Sequence, residues 1–261
     1  MEYLVICLAA ALVSMLTLFS GFGLGTVLMP AFALFFPVPV AIAATAVVHL
    51  ANNLFKVLLV GRNADFRVVA RFAVPGAVAA VAGAMLLEYF SGLPPLAKYT
   101  ISGDEHTVTL IKLIIGVLII GFSSFELAPG IGGLKLERKY LIPGGIVSGF
   151  FGGLSGHQGA LRAVFLVNAG LDRDAFIGTS TVSAVIVDIS RIMVYGAGMF
   201  SLQPGLLSSE TGRLVIAATI AAFLGAFAGS RLMKKVTFGS VQRIVGIMLA
   251  IIGAGMATGL L

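Results

Sequence analysis

The string Gly152-Gly-Leu-Ser-Gly-His-Gln-Gly159 falls in the middle of an apolar stretch, residues 141–169, and how it is read decides the fold. Glycine at that density interrupts a helix. The limbs left on either side, about a dozen residues each, are too short to cross a bilayer at a rise of about 1.5 Å per residue. The stretch therefore reads as a re-entrant hairpin. A second apolar stretch, residues 3–36, is interrupted in the same way by Ser20-Gly-Phe-Gly-Leu-Gly25 and is either the same device with longer limbs or two tilted spans.

Both hairpins sit in a chain that cannot fold as a soluble domain. Of 261 residues, 59% are apolar and 11% charged, where a soluble protein has about a quarter charged. Six further segments are long and apolar enough to cross hydrocarbon: residues 40–60, 68–87, 108–125, 175–197, 214–233 and 241–261. The single cysteine, Cys7, excludes an intramolecular disulfide and a cysteine-based zinc or redox motif. Glu2 stands where a secretory leader would be basic, so a cleaved signal peptide is not expected.

The net charge of +6 would suggest nucleic acid only if it were clustered on a soluble face. It is instead distributed by topology. Arg62, Arg67, Arg71, Lys135, Arg138, Lys139, Arg173, Arg231, Lys234, Lys235 and Arg243 lie in or beside loops that the positive-inside rule assigns to the cytoplasm. Lys98, Lys112 and Arg213 are left outside, with Glu88, Asp104 and Glu105 in the acidic loop 88–107. The resulting alternation puts both ends of the 141–169 hairpin on the cytoplasmic side and both chain termini on the other. A cell-membrane, multi-pass protein is expected, with the bilayer as its surroundings and no nucleic-acid partner.

Each broken region is followed by a similar string, Ala41-Ile-Ala-Ala-Thr-Ala-Val-Val-His-Leu-Ala-Asn-Asn-Leu-Phe-Lys56 and Ala175-Phe-Ile-Gly-Thr-Ser-Thr-Val-Ser-Ala-Val-Ile-Val-Asp-Ile-Ser-Arg191. Asn53-x-x-Lys56 falls on Asp188-x-x-Arg191, and farther on Arg71 falls on Arg213 and Gly83 on Gly225. Charge places 40–60 running inward and 175–197 running outward. The fold expected is an all-α integral membrane protein of two inverted-topology repeats, 1–130 and 131–261. Each is a broken or re-entrant helical hairpin (3–36 and 141–169) followed by three transmembrane helices. Inverted repeats with discontinuous helices point to a transporter whose site lies where the breaks meet.

Gly21-Phe-Gly-Leu-Gly25 leading to Pro30, the later Gly152-Gly-Leu-Ser-Gly-x-x-Gly159 element and the Ala-x-x-x-Thr-rich helix after each resemble the sulfite exporter TauE/SafE family. The resemblance covers essentially the whole chain. It implies a membrane transporter built as a duplicated bundle and associated with sulfite, sulfoacetate and related sulfur-containing anions. Ser155-Gly-His-Gln-Gly159 departs from the plainer glycine run typical of that family.

The residues themselves suggest an anion. A helix break in hydrocarbon leaves backbone groups that protein or ligand must satisfy, and the limb after the break begins with N–H donors and a partial positive charge. Gly23, Gly25, Gly156 and Gly159 suit either this use or close helix packing; Gly225 and Gly229, inside an unbroken span, suit packing. Ionisable residues within spans face a cavity or a partner, and here they are His49, Lys56, His157, Arg162, Asp188 and Arg191. Thr45, His49, Asn52, Asn53 and Lys56 form one helical stripe, and Thr181, Asp188 and Arg191 another. Arg162, four residues after Gln158, is the foremost substrate ligand, its guanidinium suited to bidentate contact with an oxyanion.

The expected substrate-binding set is Gly23, Gly25, Asn52, Asn53, Lys56, Gly156, His157, Gln158, Arg162 and Arg191. Several readings stay open within it. Lys56 either binds substrate or snorkels, Arg191 either binds substrate or pairs with Asp188, and His157 either meets the anion or bonds a carbonyl. His49, His157 and Asp188 are the candidates for proton coupling. No ATP-binding string, metal set or cofactor motif is present. The expectation is a secondary carrier for a small anionic substrate, with another small anion such as a carboxylate, or a channel, as the alternative. An intramembrane enzyme would rest on Ser155 and His157 alone. A homodimer is compatible with such a chain.

Overall fold

The computed structural model describes residues 1–17, 24–101, 103–127, 137–202, 209–232 and 239–261. The first broken region supplies α1 (Glu2–Thr17) and α2 (Leu24–Ala33), followed by α3 (Val38–Val60) and α4 (Phe66–Ser91). A ribbon of two antiparallel strands, β1 (Ala97–Ile101) and β2 (Asp104–Val108), leads to α5 (Leu110–Leu127). The second broken region supplies α6 (Leu141–Ser155) and α7 (Gly159–Val167), followed by α8 (Arg173–Leu202), α9 (Glu210–Leu232) and α10 (Gly239–Thr258).

Local chemistry sets these boundaries. Proline at the start of α3 needs no N–H partner in the first helical turn. Asp65 caps α4, its Oδ1 accepting from the Arg67 and Val68 amides at 2.9 and 3.2 Å. The α6 helix stops where Gly156 adopts φ +80°, a left-handed conformation that glycine takes without strain, and its N–H closes the last turn on the Gly152 carbonyl at 3.0 Å.

Among the described residues, four helices are long and apolar enough to cross a membrane: Val38–Asn63, Phe66–Ser91, Arg173–Ala197 and Glu210–Gly229. They coincide with four of the expected spans. The expected span 108–125 starts later than its apolar run suggests. Val108 pairs with Ala97 in the ribbon, and Thr109 Oγ1 accepts from the Lys112 amide at 3.3 Å to begin α5. The span 241–261 likewise ends early, at Thr258, because Gly259 turns the chain with φ +81°. The ribbon adds a feature to the otherwise helical expectation, and Tyr99 Oη ties it to the end of α10 by donating to the Thr258 carbonyl at 2.5 Å.

The limbs of the second hairpin, α6 and α7, have 15 and 9 residues, and those of the first, α1 and α2, have 16 and 10. None is longer than about 24 Å, against about 30 Å of hydrocarbon. Residues 18–23, which carry the first break and Gly23, lie outside the described residues.

Packing pairs the elements in a regular way. α4 lies along α6 and α1 along α9; α3 meets α8, and α5 meets α10. Exchanging α1–α5 with α6–α10 turns this set of contacts into itself. Glycine makes the closest crossings. Methyl groups on Gly145, Gly149 and Gly153 would strike the carbonyls of Phe72, Gly76 and Ala80 on α4, and methyls on Gly225 and Gly229 would strike those of Ala11 and Met15 on α1. Such backbone approach is how small residues hold helices together in lipid. The outward faces carry Leu58, Val78, Leu224 and Ile251, all exposed, so the exterior is apolar as a bilayer requires.

Candidate functional site

The polar stripe of α3 points inward: Thr45, His49, Asn52, Asn53 and Lys56 are all buried, as are Asp188 and Arg191 on α8. These two helices cross at the centre of the bundle, so the stripes meet. His49 Nδ1 lies 2.6 Å from Asp188 Oδ2, and the Asn53 amide nitrogen sits 3.0 Å from that ring nitrogen and 3.5 Å from the same carboxylate oxygen. An ionised carboxylate only accepts, so His49 presents Nδ1–H to it. Asp188 Oδ1 accepts from Arg191 Nε at 3.0 Å, Arg191 Nη2 at 2.8 Å and Gln158 Nε2 at 2.8 Å.

The second break is fastened to this centre by side chains of α8. Arg191 Nη1 donates to the Gly152 carbonyl at 3.1 Å, and the Tyr195 hydroxyl donates to the Gly153 carbonyl. The Gly153 carbonyl is one of the last of α6, left without a helical partner because the helix ends at Ser155, and the Gly152 carbonyl accepts from both Arg191 and the Gly156 N–H. Gln158, at the start of α7, bridges the two halves of the network. Its Nε2 meets Asp188, its Oε1 accepts from Arg162 Nη1 at 3.0 Å, and its backbone carbonyl accepts from Ser148 Oγ at 3.0 Å. Arg162 Nε donates to Ser180 Oγ at 2.9 Å.

The two broken regions touch. A methyl on Gly25, in the first turn of α2, would lie 3.1 Å from the Gly156 carbonyl oxygen and 3.8 Å from the His49 ring. A methyl on Gly156 would lie 3.3 Å from Arg191 Nη1. Gly25, Gly156, His49 and Arg191 thus gather at one place, from four different elements. His157 stacks flat on Phe122 of α5, centroids 5.3 Å apart and planes 6° apart, with Nδ1 2.9 Å from the Ser155 carbonyl. Asn52 turns toward α1, accepting from Ser14 Oγ at 3.0 Å.

The charge balance is uneven. Arg191 and Asp188 form an ion pair with both side chains fully buried. Lys56 is 6% exposed and makes no hydrogen bond or ion pair among the described residues, and the Arg162 guanidinium repels it. A buried cation of this kind costs several kcal/mol unless a counter-charge offsets it, by roughly the amount a buried ion loses on leaving water. An anion held between Lys56 and Arg162 would supply that charge.

Of the sequence-derived set, Gly25, Asn53, Gly156, Gln158, Arg162 and Arg191 come together around Asp188 and His49, while Gly23 is outside the described residues. Thr181 does not join them, since its hydroxyl bonds the Ile177 carbonyl of its own helix at 2.7 Å. Five contributors were not singled out in the sequence: Ser14, Phe122, Ser148, Ser180 and Tyr195. Tyr195 lies four residues after Arg191 and Ser180 eight before Asp188, so helical spacing alone would have found these two. Ser14 and Phe122 reach the site from other helices and carry no such signal.

Ser155 and His157 do not make a nucleophile–base contact. The Ser155 hydroxyl donates to the Phe151 carbonyl at 2.9 Å, and the imidazole faces the serine's carbonyl oxygen. Among the described residues, no group of three or more His, Cys, Asp or Glu side chains is placed to hold a metal ion.

No curated protein and no solved structure matches the chain. The family model for the sulfite exporter TauE/SafE matches residues 6–256. Long apolar helices, an apolar exterior and a buried cationic site agree with a membrane transporter of that type, and the chain belongs to the TauE/SafE sulfite exporter family.

Proposed function

We propose that the chain is a secondary carrier for a small sulfur-containing anion, such as sulfite, sulfoacetate or a related organosulfonate, acting in the cell membrane. The observation that carries this reading is the two buried cations, Lys56 and Arg162, which repel one another, Lys56 having no ion pair among the described residues. Guanidinium and ammonium groups recognise tetrahedral or pyramidal oxyanions through charge-assisted hydrogen bonds. Gln158 and Arg191 hold the break in place, and the α7 limb begins directly after it.

The mechanism we infer is alternating access of two inverted halves, 1–130 and 131–261, with both termini on the non-cytoplasmic side. The exchange of contacts between α1–α5 and α6–α10 supports it, because such a bundle can rock about α3 and α8 while keeping equivalent interfaces. His49 against Asp188 supplies a buried, titratable pair through which proton movement can be linked to that rocking.

Flux of labelled sulfite, sulfoacetate and a carboxylate of similar size into proteoliposomes, with and without an imposed pH gradient, tests the reading. Saturable flux of the sulfur anions above the carboxylate supports it. Equal flux of the carboxylate would make the protein a general small-anion carrier, and absence of any anion flux would refute the carrier reading.

A further inference from the structure

Four side-chain atoms wholly shut off from solvent have no hydrogen-bond partner among the described residues: Thr45 Oγ1, Asn52 Nδ2, His157 Nε2 and Ser183 Oγ. All four lie on α3, on α8 or at the α6–α7 break, the elements that build the anion site. His157 is the informative one, because its other nitrogen defines its chemistry. Nδ1 faces the Ser155 carbonyl oxygen at 2.9 Å, and a carbonyl only accepts, so Nδ1 carries the hydrogen. In the neutral ring Nε2 is then a bare lone pair and requires a donor. The ring cannot readily turn to exchange the two nitrogens, because it is 3% exposed and lies flat on Phe122.

His157 is also well placed to meet the substrate. The adjacent Gln158 is bonded to both Asp188 and Arg162, the preceding Gly156 touches Gly25, and the Arg191 charge acts on the imidazole. The cations ask for negative oxygens, whereas His157 asks for an O–H or N–H. A sulfonate or a fully ionised sulfite offers only acceptors and leaves Nε2 unsatisfied, a cost of about 1–3 kcal/mol at a buried acceptor. A monoanionic oxyacid that keeps one O–H meets both demands.

Resting on the carrier reading of this site, we infer that it selects its anion in a form that retains one O–H, hydrogensulfite being the sulfur anion of that kind, with the O–H donated to His157 Nε2. The substrate then brings its own proton into the membrane. Sulfonates of equal charge bind as weaker ligands.

Calorimetric titration of the purified full-length chain in nanodiscs, at mildly acidic pH, compares hydrogensulfite with methanesulfonate, a monoanion of similar size without an O–H. Hydrogensulfite should bind about tenfold tighter, the factor one satisfied buried acceptor supplies, and His157→Phe, which keeps a ring against Phe122, should abolish the preference. Nitrogen-15 spectra of the unmutated protein decide the matter even if that variant does not fold: sulfite should shift Nε2 and leave Nδ1 protonated. Equal affinity for the two anions, a preference that survives in folded His157→Phe, an imidazole doubly protonated in the complex, or an Nε2 signal indifferent to sulfite each overturns the inference while leaving the carrier reading standing. Binding of neither anion overturns both.

Discussion

His49 Nδ1 on α3 lies 2.6 Å from Asp188 Oδ2 on α8, a contact between residues 139 positions apart that joins the central helices of the bundle. Asp188 also receives Arg191 and Gln158, so it is the acceptor on which the whole centre converges. Asp188→Asn leaves Arg191 buried without its counter-charge and should destabilise the protein by about 3–5 kcal/mol, the usual effect of removing one partner of a buried pair. Thermal unfolding in detergent measures this. Asp188→Asn combined with Arg191→Met should recover part of the loss, since both charges are then gone.

Lys56 and Arg162 should separate cleanly. Because Lys56 has no hydrogen bond or ion pair to lose among the described residues, Lys56→Met should leave thermal stability equal or higher while weakening anion binding about ten- to a hundredfold, as expected for one charge-assisted hydrogen bond of roughly 1.5–3 kcal/mol. Arg162→Lys should weaken binding and stability together, because the Gln158 and Ser180 oxygens lose their shared donor. Calorimetry paired with melting curves reads both. A Lys56→Met protein that melts lower and binds sulfite normally would assign that lysine to structure.

The glycines divide by what a methyl would meet. Gly149→Ala and Gly225→Ala push against backbone carbonyls of facing helices and should cost about 1–3 kcal/mol or prevent assembly. At Gly25 the added methyl meets Gly156 O at 3.1 Å, a contact that a small shift relieves. Gly25→Ala should therefore retain most of its stability and lose transport, measured as flux per correctly folded molecule.

On the ribbon, Lys98 holds the exposed Glu105 carboxyl below the usual carboxylate range through a 2.7 Å ion pair. A lowered acid contributes stability above its ordinary titration point and loses it as pH falls through the lowered one. Both side chains are about 60% exposed, so solvent screens the pair. Glu105→Gln should leave the melting temperature unchanged within error at neutral pH, and transport likewise.

Much of this was legible in the sequence because a bilayer permits few designs. The break at Gly152–Gly159 and the burial of the α3 stripe follow from helical spacing and from the cost of polar groups in lipid, whereas the same spacing left Arg191 with two readings, of which the structure shows the pair with Asp188. Element ends were less legible where short-range capping overrides hydropathy, as at Thr109, and the ribbon lay hidden in a loop with ordinary polar composition. The site's remaining partners escaped for a different reason. That Ser14 meets Asn52, or that Phe122 covers His157, depends on which helices touch, and periodicity within one helix carries no such information.

The most direct test is to locate the anion. Selenite scatters anomalously and is a close analogue of sulfite, so a crystal of the full chain soaked in it should show one anomalous peak beside the Gly25–Gly156 contact, with oxygens about 3 Å from Arg162 and Lys56 nitrogens. The peak should vanish in crystals of Lys56→Met. Selenite bound only at the protein surface, or at the centre but undisturbed by loss of Lys56, would contradict an anion site built from these two cations.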